Sequence, residues 1–550
     1  MPSEEYRLVS NGEDDETESV ASFQKPAGKS NKLAILIAYL GAVLSSSEES
    51  LVTATYSIIA SDFQELSKSS LLLTSYNLGY CIALPVYGAL ADLFGRKFSL
   101  LLGYFFFGLG CVICTIGTSI NHLVIGRAIG GTGSAGMVVM ISIMITDFAP
   151  PSEVALLRSY TNLSNLIGRS FGAPLGSLVT STFGWRWAFG GRLPVILACF
   201  LLAKVYMPDI NPPQKDKDAS RGEKLKSIDY AGTAAFAAAI VPFLLALVAV
   251  GDQNGGGSSY IYKLLAVSAV FCIAFVLVEC LWVKRPLVPL QLVWQGVGQY
   301  WLVQLLIFIG RLAMTTNIAE YLTQVKGVAG EVASIFIIFP GVGFTSGALA
   351  AGYTIKRYLP PTIYNKTPQP YLCIHSLTLP RTKRYKKHSI AAIILGIVFS
   401  ALLFRSWHET SSIWESLLII PISAATGFTL SCEFIGVSSR APQEHLAPAI
   451  GAYYLSQQLG MIIGSAIGPV FVRRGFVHEM GVRVQDGGER NRIISDVLAD
   501  SRFHLSLPDQ VRGIVQVCLA FGYQFIPLTS VVTMSLALPI FIMKREERIE

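Results

Sequence analysis

The sequence predicts an all-α polytopic membrane protein with fourteen transmembrane helices: two pseudo-symmetric six-helix bundles joined by two extra helices. Only 14% of the 550 residues are charged and 52% are hydrophobic, whereas soluble proteins carry about 25% charge. Apolar runs of about 18 residues or more, long enough to cross a bilayer, recur fourteen times along the chain. Two glycine-containing patterns in the first part of the chain also occur again in the last part, as in transporters built from repeated halves.

The predicted spans follow from these apolar runs. The first six begin near Leu33, Ser70, Phe98, Leu123, Leu156 and Trp187. Two more run near Asp229 to Val250 and near Tyr260 to Val283. The last six begin near Tyr300, Val332, Ile390, Glu415, Ile450 and Ile514. Joining loops are mostly too short to fold alone, so consecutive spans should pack together.

We predict the following division of the chain: a disordered cytosolic tail over 1–31, a first bundle over 32–206, a cytosolic linker over 207–227, two extra helices over 228–284, a second bundle over 299–543 and a cytosolic tail over 544–550. Within the second bundle, residues 358–380 are unusually rich in proline and aromatic residues. We interpret them as an anomalous cytosolic insertion, either a retained intron or misread splice site in the gene model or a real disordered insertion. Residues 473–511 are predicted to form a long non-cytosolic loop.

Short basic loops predict the orientation. They lie on one side of the predicted spans, and this side should be cytosolic because short cytosolic loops are enriched in lysine and arginine. The clusters include Arg96 with Lys97, Arg158, Lys215 to Lys226, Lys284 with Arg285, and Arg440. The formal charge of +7 is thus a topology signal, and we expect no nucleic-acid partner. Both termini should be cytosolic, and the arginine-rich loop 473–511 is the exception to the rule.

Two sequence patterns suggest an internal repeat of spans one to six in spans nine to fourteen. Gly88 to Ala91 has the same sequence as Gly347 to Ala350. Span five carries Gly168, Gly172 and Gly176 with Pro174, and span thirteen carries Gly460, Gly464 and Gly468 with Pro469. Glycines four residues apart share one helix face and let a neighbouring helix pack closely. The alternative is a coincidence of packing motifs.

Four segments resemble, in the same order along the chain, motifs of the major facilitator superfamily and, within it, of the fourteen-span drug:proton antiporter branch of fungi. The segments are Gly88 to Lys97, Leu123 to Gly133, Gly168 to Gly176 and Trp185 to Phe189. The resemblance implies alternating access in a major facilitator fold, driven by a proton gradient and without a cofactor. Multidrug and toxin exporters and vacuolar basic amino acid carriers share these motifs. Resemblance to this branch therefore does not identify the substrate.

Charged groups at membrane depth are costly, so each one there is a functional candidate. Counting about 1.5 Å per helical residue places Glu49 and Arg127 at similar depth, where a carboxylate facing a guanidinium could exchange a proton for substrate. Arg169 lies near the middle of span five and could hold a substrate carboxylate. The alternatives are a headgroup position for Glu48 or Glu49 and a structural ion pair for Arg169.

The loop between spans two and three carries a predicted gate of Gly88, Asp92, Gly95, Arg96 and Lys97. On a short loop, these charges could cap helix ends and hold the cytosolic side shut in one conformation. The alternative is that Arg96 and Lys97 only determine topology.

The histidines show no metal-ligand spacing, and the sequence lacks a Walker-type phosphate loop. We therefore expect no enzyme activity and no metal site. The expected partners are a small-molecule substrate, protons and the lipid bilayer of the plasma or vacuolar membrane, with the monomer as the functional unit. We predict a proton-coupled exporter of small amphipathic or cationic molecules. The alternatives are a vacuolar carrier of basic amino acids and a nutrient sensor that binds without transport.

Overall fold

The computed structural model describes residues 29–64, 69–149, 151–207, 229–251, 258–281, 288–294, 296–328, 330–358, 386–407, 412–442, 445–484, 487–499 and 507–543. Most of the predicted N-terminal tail, the predicted linker and the anomalous insertion, and the whole C-terminal tail, lie outside the described residues.

Six long helices form the first bundle. They are α1 (Lys29–Asp62), α2 (Ser69–Phe94), α3 (Arg96–Ile116), α4 (Ile120–Phe148), α5 (Pro151–Phe183) and α6 (Leu193–Tyr206). A short helix, Trp185–Gly190, leads into α6. Gly95 and Gly184 have φ values of 87° and 90°, a conformation that glycine adopts without a steric penalty. They allow the chain to turn sharply between α2 and α3 and after α5.

Two helices connect the bundles and six more form the second bundle. The connecting helices are α7 (Tyr230–Gly251) and α8 (Ser258–Leu281). The second bundle contains α9 (Gly298–Gln324), α10 (Ile338–Tyr358), α11 (Lys386–Ser406), α12 (Ile419–Arg440), α13 (Leu446–Arg483) and α14 (Asp509–Met543). The short helix Gly330–Ile335 precedes α10, and the 3-10 helix Ile413–Leu418 precedes α12.

This all-helical architecture agrees with the predicted fold class. Within the described part of the chain, twelve helices are long and apolar enough to cross a membrane. The two long helices outside that set, α5 and α10, hold the fifth and tenth places, so the helices are consistent with fourteen spans. Polar side chains along α5 explain its lower hydropathy. Many helices begin a few residues before the predicted start, because helical structure continues past the apolar run into polar flanks.

The predicted loop 473–511 is largely helical in its described residues, which the sequence prediction missed. Helix α13 continues to Arg483, and a further helix spans Gly487–Ala499. Two features stabilise the extension of α13. Phe476 and Met480 are fully buried in the core of the second bundle, and Glu479 pairs with Arg483 one turn later at 2.8 Å, a favourable spacing on a helix.

The two glycine faces make equivalent contacts, which supports the repeat. A Cβ at Gly168 would lie 2.5 Å from the carbonyl oxygen of Val43 in α1, and a Cβ at Gly460 would lie 2.6 Å from that of Leu305 in α9. One turn later, Gly172 approaches the carbonyl of Ser47, and Gly464 approaches that of Ile309. Helix α5 therefore packs on α1 in the same register as α13 packs on α9.

The repeated sequence at Gly88 and Gly347 is not in structural register, so that part of the repeat prediction is wrong. Gly347 of α10 packs against the carbonyl of Ala424 in α12. The first-bundle glycine with the equivalent contact is Gly79, which packs against the carbonyl of Ala128 in α4. Gly88 instead contacts Ala447 of the other bundle. Small residues serve close helix packing at many positions, which is why the short match arose out of register.

The two bundles meet at the end of the molecule where the α2–α3 loop lies, and we call this the closed end. There a Cβ at Gly88 would lie 2.8 Å from the carbonyl of Ala447, and one at Gly352 would lie 2.8 Å from the Cα of Leu156. Ser142 of α4 and Tyr454 of α13 also form a hydrogen bond across the interface. Backbones in such close contact leave no room for a solute to pass.

Candidate functional site

A cavity of about 70 Å³ lies between the two bundles. Side chains from both bundles line it, and most of them are polar or aromatic. They are Ser45, Ser46, Glu49, Tyr76, Asn77, Tyr80, Val138, Arg158, Thr161, Asn162, Asn165, Arg169, Gln304, Phe308, Phe344, Leu430, Ser431, Tyr454, Gln457, Gln458 and Met461.

Helix α5 supplies one polar wall of the cavity, formed by Arg158, Thr161, Asn162, Asn165 and Arg169. Successive members are three, one, three and four residues apart, a spacing that keeps side chains on one helix face. In a membrane helix, such a polar stripe is favourable where it faces a polar cavity. The fold therefore places a continuous set of polar groups along the cavity.

Glu49 and Arg169, both predicted as candidates, form an ion pair on the cavity wall. Arg169 Nη2 donates to Glu49 Oε2 at 3.0 Å, and the two side chains remain 38% and 41% exposed. The hydroxyl of Ser50 donates to the carbonyl of Arg169 at 2.7 Å. Since Gly172 lets α1 and α5 approach closely, the pair is held by backbone packing as well as by charge.

The predicted pairing of Glu49 with Arg127 is wrong, because Arg127 contacts the neighbouring acid. Glu48 forms ion pairs with Arg127 and with Arg192, the residue just before α6. The side chains of Glu48 and Arg127 are only 4% and 3% exposed. Adjacent side chains on a helix point about 100° apart, so Glu48 faces α4 and α6 while Glu49 faces α5.

Further contacts fix Arg127 within the first bundle. Its Nε donates to the carbonyl of Leu72 at 3.1 Å, and its guanidinium lies 4.3 Å from the ring centroid of Tyr76. Tyr76 lines the cavity, but neither Arg127 nor Glu48 does. We therefore distinguish two acid sites: a buried cluster of Glu48, Arg127 and Arg192, and a cavity pair of Glu49 and Arg169. The sequence does indicate this division, because two adjacent acids on one helix must face different neighbours.

The predicted gate residues lie together at the closed end. Arg96 Nε donates to Asp147 of α4 at 2.8 Å, and Arg96 Nη1 donates to Asp92 at 2.9 Å and to the carbonyl of Ala91 at 2.7 Å. Lys97 follows in the first turn of α3. These charged contacts tie α2, α3 and α4 together within the first bundle, and Gly88 closely approaches Ala447 of the second bundle.

Two arginines near the cavity were missed by sequence reasoning. The sequence predicts Arg158 in a cytosolic loop, but it lies within α5 and is 7% exposed. Arg311 of α9 is 8% exposed and lies 4.1 Å from the ring centroid of Phe344. The helical spacing of Arg158 from Asn162, Asn165 and Arg169 was a usable signal. Arg311 lies eleven residues after Tyr300 in the ninth apolar run, so its position within that run was also a usable signal.

The charged groups in the described part of the chain are not arranged as a metal centre, since no group of three or more histidine, cysteine, aspartate or glutamate residues there could hold an ion. The site is thus built from ion pairs, amides, hydroxyls and aromatic rings. It can bind a small molecule and exchange protons at carboxylates.

Comparisons with known proteins match this architecture. The model of the Major Facilitator Superfamily matches residues 38–465. The vacuolar basic amino acid transporter 1 of Saccharomyces cerevisiae is 27% identical over 450 residues, covering 78% of this chain and 75% of that protein. The multidrug resistance protein fnx1 of Schizosaccharomyces pombe is 27% identical over 507 residues, covering 90% and 89%.

Solved structures agree in fold. The proton:xylose symporter XylE superposes with a TM-score of 0.56 at 15% identity, covering 96% of this chain and 97% of that one. The human organic anion transporter MFSD10 gives a TM-score of 0.55 at 13% identity, covering 93% and 100%. Because the family model spans most of the chain and the two bundles repeat in register, the chain belongs to the Major Facilitator Superfamily, as a multi-pass membrane protein.

Proposed function

We propose that the chain is a proton-coupled antiporter that exports small amphipathic or cationic molecules by alternating access. The observation that carries the proposal is the Glu49–Arg169 ion pair, which lines a cavity between two repeated bundles. The similarity to a protein named for multidrug resistance supports this substrate class. The two termini are proposed to be cytosolic, with the closed end facing the cytosol and the monomer as the functional unit.

Competition at Glu49 would couple the proton to the substrate. When ionised, Glu49 can pair with Arg169 or with a cationic group of the substrate. When protonated, it binds neither strongly, because an ion pair needs both charges. A proton entering the cavity would therefore release the cation, and loss of the proton would allow the next cation to bind.

Alternating access requires the bundles to separate at the closed end. Separation would break the contacts of Gly88 with Ala447 and of Gly352 with Leu156, while the packing of α5 on α1 and of α13 on α9 stays within each bundle. The cluster of Arg96, Asp92 and Asp147 also lies within one bundle. We propose that it keeps the ends of α2, α3 and α4 together as a unit during this movement.

Transport into sealed vesicles with an imposed pH gradient tests the function. The full chain should accumulate a labelled cationic dye only when the gradient is present. Glu49→Gln should abolish gradient-driven accumulation, whereas Asp509→Asn, at a side chain that is 96% exposed, should transport normally. Gradient-driven accumulation at the wild-type rate in Glu49→Gln would reject Glu49 as the coupling group.

A vacuolar transporter of basic amino acids is the second candidate. It is favoured by the similarity to the yeast protein of that name and by a cavity that offers both a carboxylate and arginines. The same vesicles distinguish the candidates when labelled lysine replaces the dye, and a fluorescent tag distinguishes vacuolar from plasma membrane. A nutrient sensor would bind lysine in these vesicles but show no accumulation.

A further inference from the structure

Arg158 lies in an unusual environment at the closed end of the cavity. It is 7% exposed, yet it lines the cavity from α5 of the first bundle. Its guanidinium carbon lies 3.5 Å from the ring centroid of Phe434, 5.0 Å from that of Tyr453 and 5.3 Å from that of Tyr454. All three rings belong to the second bundle. Aromatic faces thus hold one side of this cation.

Stacking on the rings does not satisfy the hydrogen-bond donors of the guanidinium. An arginine stacks through its planar face and donates hydrogen bonds in the plane, so a ring does not replace an oxygen acceptor. Nη1 of Arg158 is buried and has no hydrogen-bond partner among the described residues. A buried donor in this state carries a desolvation penalty that a suitable oxygen would relieve.

Arg158 forms no ion pair with the described residues. Among the described residues, no carboxylate lies within ion-pairing distance of this side chain, whereas Arg169 on the same wall is matched by Glu49. Arg311 adds a second buried cation beside Phe344, and its Nε also lacks a partner. The buried acid Glu433 precedes Phe434 and interacts with Tyr453, but it is not part of the cavity lining.

We propose that Arg158 forms an anion-binding subsite, at which the cavity binds the carboxylate of a transported small molecule. A carboxylate matches the planar fork of a guanidinium and forms charge-assisted hydrogen bonds with it. Asn162, one turn along α5, adds an amide to the same wall, and Leu430 and Met461 add apolar surface for a carbon skeleton. The inference rests on the proposed transport function and specifies its substrates as amphipathic molecules that carry a carboxylate.

The subsite lies apart from the Glu49–Arg169 pair. Eleven residues of α5 separate Arg158 from Arg169, which corresponds to about 16 Å along the helix axis. A cationic group near Glu49 and a carboxylate near Arg158 would therefore occupy different levels of the cavity. Loss of one subsite should leave recognition at the other.

Matched probes that differ in a carboxylate test the proposal. L-lysine and cadaverine form one pair, and rhodamine 110 and its methyl ester rhodamine 123 form another. The purified full chain in detergent is titrated with each probe, and the apparent Kd is read from the shift in thermal unfolding. We expect the carboxylated member to bind about tenfold more tightly, as one charge-assisted bond provides. Arg158→Gln should bring the ratio close to one without changing the Kd of cadaverine or rhodamine 123.

Two further variants define the outcome. Arg186→Gln, at an exposed arginine stacked on Trp185, should keep the wild-type ratio. Arg158→Lys keeps the charge but loses the planar fork, so the ratio should fall at least threefold, and this variant decides the question if Arg158→Gln does not fold. The proposal is overturned if the ratio is unchanged in the Arg158 variants, if the carboxylated probes bind no better than their partners, or if sodium chloride at equal concentration stabilises the chain as well as they do.

Binding in detergent requires no gradient, so it separates this proposal from the proposed function. A chain that prefers the carboxylated probes but never accumulates them in vesicles would reject antiport and keep the subsite. Gradient-driven transport without any carboxylate preference would keep antiport and reject the subsite.

Discussion

Glu49 on α1 and Arg311 on α9 occupy equivalent positions in the two bundles, although their charges are opposite. The same sequence interval separates Val43 from Leu305 and Ser47 from Ile309, the two carbonyl pairs that contact the matching glycines of α5 and α13. The repeat thus preserves the backbone packing and reverses the charge. Arg169, the partner of Glu49, is also close enough to Arg311 for their charges to interact.

This relationship predicts the effect of removing the second-bundle charge. Arg311→Gln should increase the apparent affinity for cationic substrates about three- to tenfold, because one unpaired positive charge near the cavity is lost. The measurement is the substrate concentration that gives half-maximal uptake in vesicles. A weaker apparent affinity for cations in this variant would mean that Arg311 does not act through its charge on the cavity.

The two adjacent acids should differ in their contribution to stability. Glu48→Gln leaves Arg127 and Arg192 buried without a counter-charge, and breaking a buried ion pair in this way costs about 3–5 kcal/mol. Glu49→Gln breaks a pair whose side chains are 38% and 41% exposed, so water compensates and the cost should be below about 1 kcal/mol. Denaturant unfolding of the purified variants measures both values. Equal destabilisation would contradict the assignment of Glu48 to the core and Glu49 to the cavity.

The glycine faces give a second test of stability. A Cβ at Gly172 would lie 2.5 Å from the carbonyl oxygen of Ser47, and one at Gly464 would also clash, with the carbonyl of Ile309. Gly172→Ala and Gly464→Ala should each destabilise the chain by about 1–3 kcal/mol, the usual range for overpacking.

Gly481 near the end of α13 is the matched control, since a Cβ there meets nothing within 4 Å. Gly481→Ala should stabilise the helix by up to about 1 kcal/mol, because alanine is the better helix former. Thermal unfolding in detergent compares the three variants. Tolerance of alanine at Gly172 but not at Gly464 would indicate that the two interfaces are not equivalent.

The sequence was sufficient to predict the helices, because each one follows an apolar run of bilayer length. It also predicted that Glu49, Arg127 and Arg169 lie within long helices and not in loops, as they do. It did not predict the ion pairs, because whether Arg127 meets Glu48 or Glu49 depends on how α1 is rotated about its axis. Side chains of consecutive helical residues point about 100° apart. Arg158 was placed in a loop because a charge near the end of an apolar run looks interfacial. Only tertiary packing shows that three rings from the other bundle cover it.

The cavity hydrogen bonds also predict which crosslinks should stop transport. Gln458 of α13 donates to Asn77 of α2 at 2.9 Å, which joins the two bundles. Ser46 of α1 donates to Asn165 of α5 at 2.8 Å, which joins two helices of the same bundle. In a chain without reactive native cysteines, a short bis-methanethiosulfonate reagent links two thiols through disulfides. It should abolish transport by Asn77→Cys/Gln458→Cys, because the bundles can no longer separate, and reduction of the disulfides should restore transport. For Ser46→Cys/Asn165→Cys, the transport rate should be similar before and after crosslinking, since the movement leaves each bundle intact. Full transport by the crosslinked Asn77 and Gln458 pair would show that the bundles do not separate at that level during the cycle.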